Sequence, residues 1–251
     1  MSVTIKSARE IELMKKAGEI LAKTHDELET VLKPGISTYD INKIADEIIR
    51  SYGCVPSFLN YNGFPGSICI SLNDEVVHGI PSKKRIVKEG DIVSLDAGVI
   101  WKGYHSDAAR THAVGKVSDE AAKLIEVTRE SFFKGIEFCK PGNHLNDICS
   151  AIGEYAESFG YGVVRDLVGH GIGTKLHESP DIPNFRMNRN GIKLEPGMTF
   201  AIEPMINVGR PEVEWLGDNW TVVTADGSLS AHYENTVLIT NEGCEILSLI
   251  K

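Results

Sequence analysis

With 251 residues the chain has room for one large domain or two small ones, and a chain of this size can bury about three quarters of its unfolded surface. Its composition, 42% hydrophobic and 24% charged, is ordinary for a globular protein, and a net charge of -9 argues against nucleic-acid binding driven by overall charge. No apolar run of about 18 residues is present to span a membrane, and Met1 to Glu10 lacks the apolar stretch of a secretory signal. The five cysteines (Cys54, Cys69, Cys139, Cys149 and Cys244) include no C-x-x-C pair and read as reduced thiols in a cytoplasm.

Ser7 followed by Glu10 predicts a capping box, and Ile11, Met14, Leu21, Leu28 and Leu32 continue at helical spacing up to the Lys33-Pro34-Gly35 break. Ile41, Ile44, Ile48 and Tyr52 predict a second helix, stopped by Gly53. Strands are expected at Ile68–Leu72, Ile92–Trp101 and Tyr104–Ala113, the last two joined as a hairpin at Lys102-Gly103. Lys83-Lys84-Arg85 reads as a solvated loop. Ser118 then opens a third helix, with Leu124, Val127 and Phe132 on its apolar face and Lys140-Pro141-Gly142 after it. Ile148, Ala151, Tyr155 and Phe159 predict a fourth, stopped by Gly160. Further strands are expected at Met198–Ile206, Trp220–Thr224, Thr236–Thr240 and Glu245–Ile250. All these apolar stripes read as core.

The two series match at one fixed offset, 107 residues from Lys33 to Lys140. At that offset Asp40-Ile41 meets Asp147-Ile148, Glu47 meets Glu154, Ser51 meets Ser158 and Gly53 meets Gly160. Further on, Gly90 lands on Gly197 and Asp96 on Glu203. The expectation is a single domain over 1–251, internally duplicated at approximately 5–113 and 114–251. Its class would be α+β, with helices backing a curved antiparallel sheet and a pseudo-twofold axis near Asp96 and Glu203.

Asp96, Asp107, His170, Glu203 and Glu234 each sit in a segment that reads as buried or tightly turned. Ionised carboxylates in such places are costly without a compensating cation. If Trp101 faces Tyr104 across the turn, Asp96 lies opposite Ala109 and Asp107 is its diagonal neighbour on the same face. A slip of one residue would separate them. Oxygen-rich donors with one imidazole suit Mn²⁺, Fe²⁺, Co²⁺ or Zn²⁺, and a pair of such ions supports hydrolysis. Competing motifs fail: His177-Glu178-Ser179-Pro180-Asp181 ends in Asp where H-E-x-x-H needs His, Thr174 breaks the P-loop pattern from Gly169 to Lys175, and no G-x-S-x-G occurs.

Longer stretches carry a resemblance. Asp74-Glu75-Val76-Val77-His78-Gly79-Ile80-Pro81, Gly90 to Asp96, Asp107-Ala108-Ala109-Arg110-Thr111, Gly169 to Gly173, Leu176-His177-Glu178 and Gly197 to Pro204 together resemble type I methionine aminopeptidases of the short bacterial form, in metallopeptidase family M24. The resemblance covers essentially the whole chain. It implies the pita-bread fold and removal of the initiator methionine from nascent proteins when the second residue is small. It also implies two divalent ions (Co, Mn, Fe(II) or Zn) held by Asp96, Asp107, His170, Glu203 and Glu234, with Asp107 and Glu234 bridging. Glu203 would relay the proton of the attacking water. His177 would contact the scissile amide, and His78 would act near the leaving-group side. The methionine pocket falls on Phe58, Tyr61, Phe64, Cys69, His78, Leu176, His177 and Trp220.

Three positions depart from the usual pattern. Phe64 stands where tyrosine is common, Phe58 where cysteine is common, and Asn235 where a histidine usually follows the glutamate. Only 26 positions separate His177 from Glu203, too few for the type II insertion. The family implies a monomer and ribosome association is left open; the cysteines, charge and hydropathy above point to a cytoplasmic protein without DNA or membrane partners. A proline-directed peptidase of the same fold, cleaving Xaa-Pro, is the second hydrolytic reading. A metal-free relative that only binds partners is the reading from another class.

Overall fold

The structure, a computed structural model, describes residues 3–249. Met1, Ser2, Ile250 and Lys251 lie outside the described residues, and with them the ends of the expected domain and the last residue of the expected strand Glu245–Ile250. The Ser7 hydroxyl accepts from Glu10 N–H, and the Glu10 carboxylate accepts from Ser7 N–H at 2.8 Å. This capping box opens α1 (Ala8–Val31), and Ser37 caps α2 (Thr38–Ser51). There follow β1 (Val55–Pro56), a 3-10 turn (Tyr61–Gly63), β2 (Ile68–Leu72), β3 (Glu75–Val77), β4 (Ile92–Trp101) and β5 (Tyr104–Ala113). Ser118 caps α3 (Asp119–Ile136), and His144 precedes α4 (Leu145–Glu157). The remaining strands are β6 (Gly162–Val163), β7 (Gly169–Gly171), β8 (Glu178–Ile182), β9 (Thr199–Ile202), β10 (Met205–Asn207), β11 (Val213–Trp215), β12 (Val222–Thr224), β13 (Ser230–His232), β14 (Glu234–Ile239) and β15 (Cys244–Ile246).

Several expected boundaries move, each for a physical reason. The run Met198–Ile206 is two strands, because Glu203-Pro204 leaves the ladder and proline has no N–H to give it. Trp220 and Thr221 precede β12 instead of opening it; the Asp218 carboxylate accepts from both of their N–H groups and holds them in a turn. β14 starts at Glu234, ahead of Thr236, and β15 ends at Ile246. The buried stripe of α4 is Ile148, Ile152 and Ala156, and Phe159 lies past the helix end, exposed against Tyr155. The stripe of α2 is likewise Ile41, Ala45 and Ile49, with Ile44 and Ile48 at its edge. Each buried face opens with a step of three, Thr38 to Ile41 and Leu145 to Ile148, and then repeats every four residues. In the basic run, Lys83 and Lys84 are exposed, but Arg85 pairs with the half-buried Glu75.

The main sheet has nine strands, with order β1-β4-β5-β14-β9-β7-β8, β2 beside β4 and β15 beside β14; every pairing is antiparallel. Side chains alternate faces along a strand. Val93, Leu95, Ala97 and Val99 of β4 therefore turn together into a core with Ala17, Leu21, Leu28 and Ile41 of α1 and α2. Phe200, Ile202, Val237 and Ile239 of β9 and β14 do the same with Phe132, Ile148 and Ile152 of α3 and α4. Burying each of the larger side chains among them stabilises by about 1.5–3 kcal/mol. The alternate residues, Asp96 among them, emerge on the face away from the helices.

The two series share backbone detail at the same offset. Isolated bridges join Ser37 to Ile86 and His144 to Lys193. The Gly35 and Gly142 N–H groups donate to Val87 and Leu194 carbonyls. Gly35 and Gly142 have φ of 96° and 93°, and Gly90 and Gly197 both 89°.

Candidate metal centre

Strand register gathers the acids. Lys102 and Gly103 both have positive φ, as a two-residue hairpin turn needs, and set Trp101 opposite Tyr104. Asp96 then stands opposite Ala109, and Asp107 opposite Gly98, on one face. Ala109 is in turn opposite Glu234. One step past the Asn235–Ile202 pair, Glu203 comes beside Glu234. His170 lies opposite Ala201, two residues from Glu203. Ala109 and Ala201 are thus the short residues among the acids, leaving room between them.

Asp107, His170 and Glu234 offer ligand atoms within 4.8 Å of one another. His170 Nε2 is 3.6 Å from Glu203 Oε1 and 3.9 Å from Asp107 Oδ2. His170 Nδ1 donates to the Gly171 carbonyl at 2.9 Å, which leaves the Nε2 lone pair facing the acids. Both neighbours of His170 must be glycine: a Cβ on Gly169 would fall 2.4 Å from the Ala201 carbonyl oxygen, and one on Gly171 2.3 Å from that of Ser179. The Thr236 hydroxyl accepts from Asp107 N–H at 2.8 Å and donates to its carbonyl at 2.9 Å. Arg110 donates to the Glu234 carbonyl and, at 2.6 Å, to Asn235 Oδ1.

Burial pushes Glu203 up to about 8. Burial, with Glu203 adding to it and His232 opposing it, pushes Asp96 up to about 7. Burial and the surrounding carboxylates hold Asp107 and Glu234 well above the usual range. Burial, reinforced by His177, lowers His170 to about 3, so its ring is neutral. Asp96 Oδ1, Asp107 Oδ1 and Glu234 Oε1 are buried and have no hydrogen-bond partner among the described residues. Arg110, the nearby guanidinium, sends its hydrogen bonds to carbonyl oxygens. Unpaired buried acceptors beside a neutral imidazole fit a divalent-cation site.

A cavity of about 220 Å³ opens beside these groups, and all thirteen residues singled out in the sequence line it. Phe58, Phe64, Cys69 and Leu176 are buried in its wall, with Tyr61 and Trp220 packed against them. The Phe64 and Trp220 rings meet edge-on at 5.1 Å. A hydrogen bond of 2.7 Å joins the Tyr61 hydroxyl to His177 Nδ1, and the His177 ring sits 4.2 Å from that of His170. His78 takes a left-handed backbone (φ 61°), and burial, with the nearby His232 and His177, lowers it to about 4. Burial lowers His177 as well. Cys69, opposite Asp96 in register, is a thiol held well above its ordinary range by burial and that carboxylate.

Sequence reasoning missed other members. Asn62, Val77, Leu167, Val168 and Met205 also line the cavity. His232, two residues before Glu234, is another missed residue, and its Nε2 lies 3.5 Å from Glu203 Oε2. Position parity with Glu234 was the available signal. His105 N–H donates to the Gly173 carbonyl at 2.8 Å, tying the hairpin to the His170 segment; nothing in its sequence context announced this.

Comparison with known proteins places this geometry. Residues 12–241 match metallopeptidase family M24. The chain is 56% identical over 247 residues to a methionine aminopeptidase of Clostridium acetobutylicum, covering 98% of this chain and 99% of that protein. It is similar to the crystal structure of a methionine aminopeptidase from Thermotoga maritima, with TM-score 0.97, 44% identity and coverage of 99% and 100%. A Xaa-Pro dipeptidase from Bacillus anthracis is more distant, with TM-score 0.79 and 26% identity, and the chain spans 62% of it.

Proposed function

The chain belongs to metallopeptidase family M24, and from that premise we propose that Asp96, Asp107, His170, Glu203 and Glu234 hold two divalent ions at the floor of the cavity. The chain is a metal-dependent aminopeptidase of the pita-bread fold that hydrolytically removes an N-terminal methionine when the second residue is small. The observation carrying this reading is the row of buried, unpaired carboxylate oxygens next to an apolar cavity closed by aromatic rings.

When bound, the ions supply a water of lowered pKa and polarise the scissile carbonyl. The rest falls to the chain. Phe58, Tyr61, Phe64, Cys69, Leu176 and Trp220 form a soft apolar wall suited to a thioether side chain. Glu203 takes the proton of the attacking water and passes it to the leaving amine. His177, oriented by Tyr61, donates to the developing oxyanion, and His78 faces the leaving-group side. The donor set accepts Co, Mn, Fe(II) or Zn; metal analysis of protein purified without oxygen identifies the ion.

The same reading takes the chain as one catalytic domain that arose by duplication, supported by the matched bridges and glycine conformations at the 107-residue offset. It takes the protein as a cytoplasmic monomer acting on nascent N-termini. In support, the proposed donors all come from one chain, the five cysteines are free, and no helix among the described residues is long and apolar enough to cross a membrane.

The test offers Met-Ala-Ser and Met-Lys-Ser peptides to the metal-loaded protein. Methionine should be released from the first and not from the second. Equal rates, or an intact first peptide, end the reading.

A further inference from the structure

His232 ends β13 and is fully enclosed. Its backbone is pinned: the N–H donates to Thr111 Oγ1 at 2.9 Å, and the carbonyl accepts from the same hydroxyl at 2.9 Å. Thr111 is itself 2.8 Å from Ser94 Oγ. The residue is only 1% exposed, so the imidazole is out of reach of bulk water. Yet neither ring nitrogen has a hydrogen-bond partner among the described residues. A buried ring left in that state is costly unless the group it faces makes use of it.

Of the two acids around it, Asp96 and Glu203, its Nε2 approaches Glu203. Two imidazoles bracket this one carboxylate, His170 Nε2 at 3.6 Å from Oε1 and His232 Nε2 at 3.5 Å from Oε2. They are not equivalent. The proton of His170 is committed at Nδ1 to the Gly171 carbonyl, so its Nε2 presents a lone pair. His232 has no such commitment, and its Nε2 is free to carry the proton. The Glu203 carbonyl is already fixed by Asn184 Nδ2, which donates to it at 3.0 Å. What remains loose is the last torsion of the side chain, which has only broad preferences of its own.

Resting on the proton-handling role assigned to Glu203 above, we propose that His232 is a positioning residue whose Nε2–H holds Glu203 Oε2 and so aims Oε1 at the space shared with His170 and Asp107. His232 touches no substrate in this scheme and contributes through Glu203 alone. Partners of this kind typically change metal affinity or activity by about 10–100-fold when removed.

Two polar variants separate this role from a merely structural one. In His232→Gln the amide nitrogen reaches the place of Nε2; in His232→Asn it stops near the place of Nδ1. Manganese titration by calorimetry and Met-Ala-Ser turnover are measured on both, with thermal melting as the folding control. His232→Gln should stay within about threefold of the parent in both readouts. His232→Asn should lose about 10–100-fold in kcat with little change in KM, and should weaken one manganese-binding step over the same range. Equal behaviour of the two variants overturns the proposal. So does loss of a whole manganese equivalent in His232→Gln, which would make His232 a ligand. If the parent protein binds manganese but leaves Met-Ala-Ser intact, the peptidase reading fails by itself, and the calorimetric contrast still decides the role of His232.

Discussion

At the scale of single residues, the site divides into groups that hold charge and groups that move protons. Glu203→Gln keeps the shape and removes the base. It should lower turnover by about 10²–10⁴-fold and weaken one metal-binding step, checked by steady-state kinetics and calorimetry. Near-normal turnover would refute the double role. His177→Ala and His78→Ala should lower turnover, by about 10²–10³-fold for His177, while leaving metal affinity close to that of the parent. Metal loss instead would move these histidines into the ligand set. The proposed acidic donors stand out in the sequence because an acid inside Val-Ser-Leu-Asp or Phe-Ala-Ile-Glu contradicts its surroundings. The wall residues were not legible from chemistry alone, since Tyr61, Phe64 and Trp220 have the composition of any core; the family likeness found them. His232 escaped both routes, because one histidine two positions before an acid looks like ordinary strand punctuation.

At the scale of elements, the β4–β5 hairpin is where sequence and structure agree to the residue. Its ten-residue arms are joined by a turn that only left-handed residues close, and period-two alternation fixes the register. Agreement is weakest after Met198, where a continuous apolar run hid a break at Glu203-Pro204. Hydrophobicity reports burial, and at the break Pro204 is buried and Glu203 half-buried. Short residues on the site face form a second, quieter signal. Ala109 sits between Asp96 and Glu234 in the register, so Ala109→Leu should push a side chain into the space between the carboxylates. Calorimetry should show metal binding abolished, while overpacking costs about 1–3 kcal/mol and far-ultraviolet circular dichroism stays that of the parent. Retained binding would mean that the alanine row does not define the space.

At the scale of the whole molecule, the centre imposes a pH dependence on the metal-free protein. Asp96 and Glu203 are pushed up to about 7 and about 8 by burial, above their values in an unfolded chain. Their contribution to stability is therefore present at low pH and lost as pH rises through those values. Buried His78 and His170, lowered to about 4 and about 3, act in the opposite sense, but only below the ordinary histidine range. Between pH 7 and 8.5 the carboxylates dominate. The melting temperature of chelator-treated protein should fall across that window, and saturating manganese should flatten the slope. A flat profile without metal would mean that the acids are compensated by something other than a cation.

The join between β5 and β14 is only two residues long, Ala108 with Asn235 and Ala109 with Glu234, and beyond it the Thr236 hydroxyl stands in for the next backbone rung. Asp107 and Glu234 face each other across this short seam. A cation between them would add a link across two neighbouring strands that are otherwise joined there mainly through the side chains of Arg110, Thr111 and Thr236. Stripping it should quicken amide exchange at Asp107 to Ala109 and at Glu234 to Thr236, while α1 and α3 keep their protection. The ion that makes the water reactive would then also be the pin that keeps the sheet from opening.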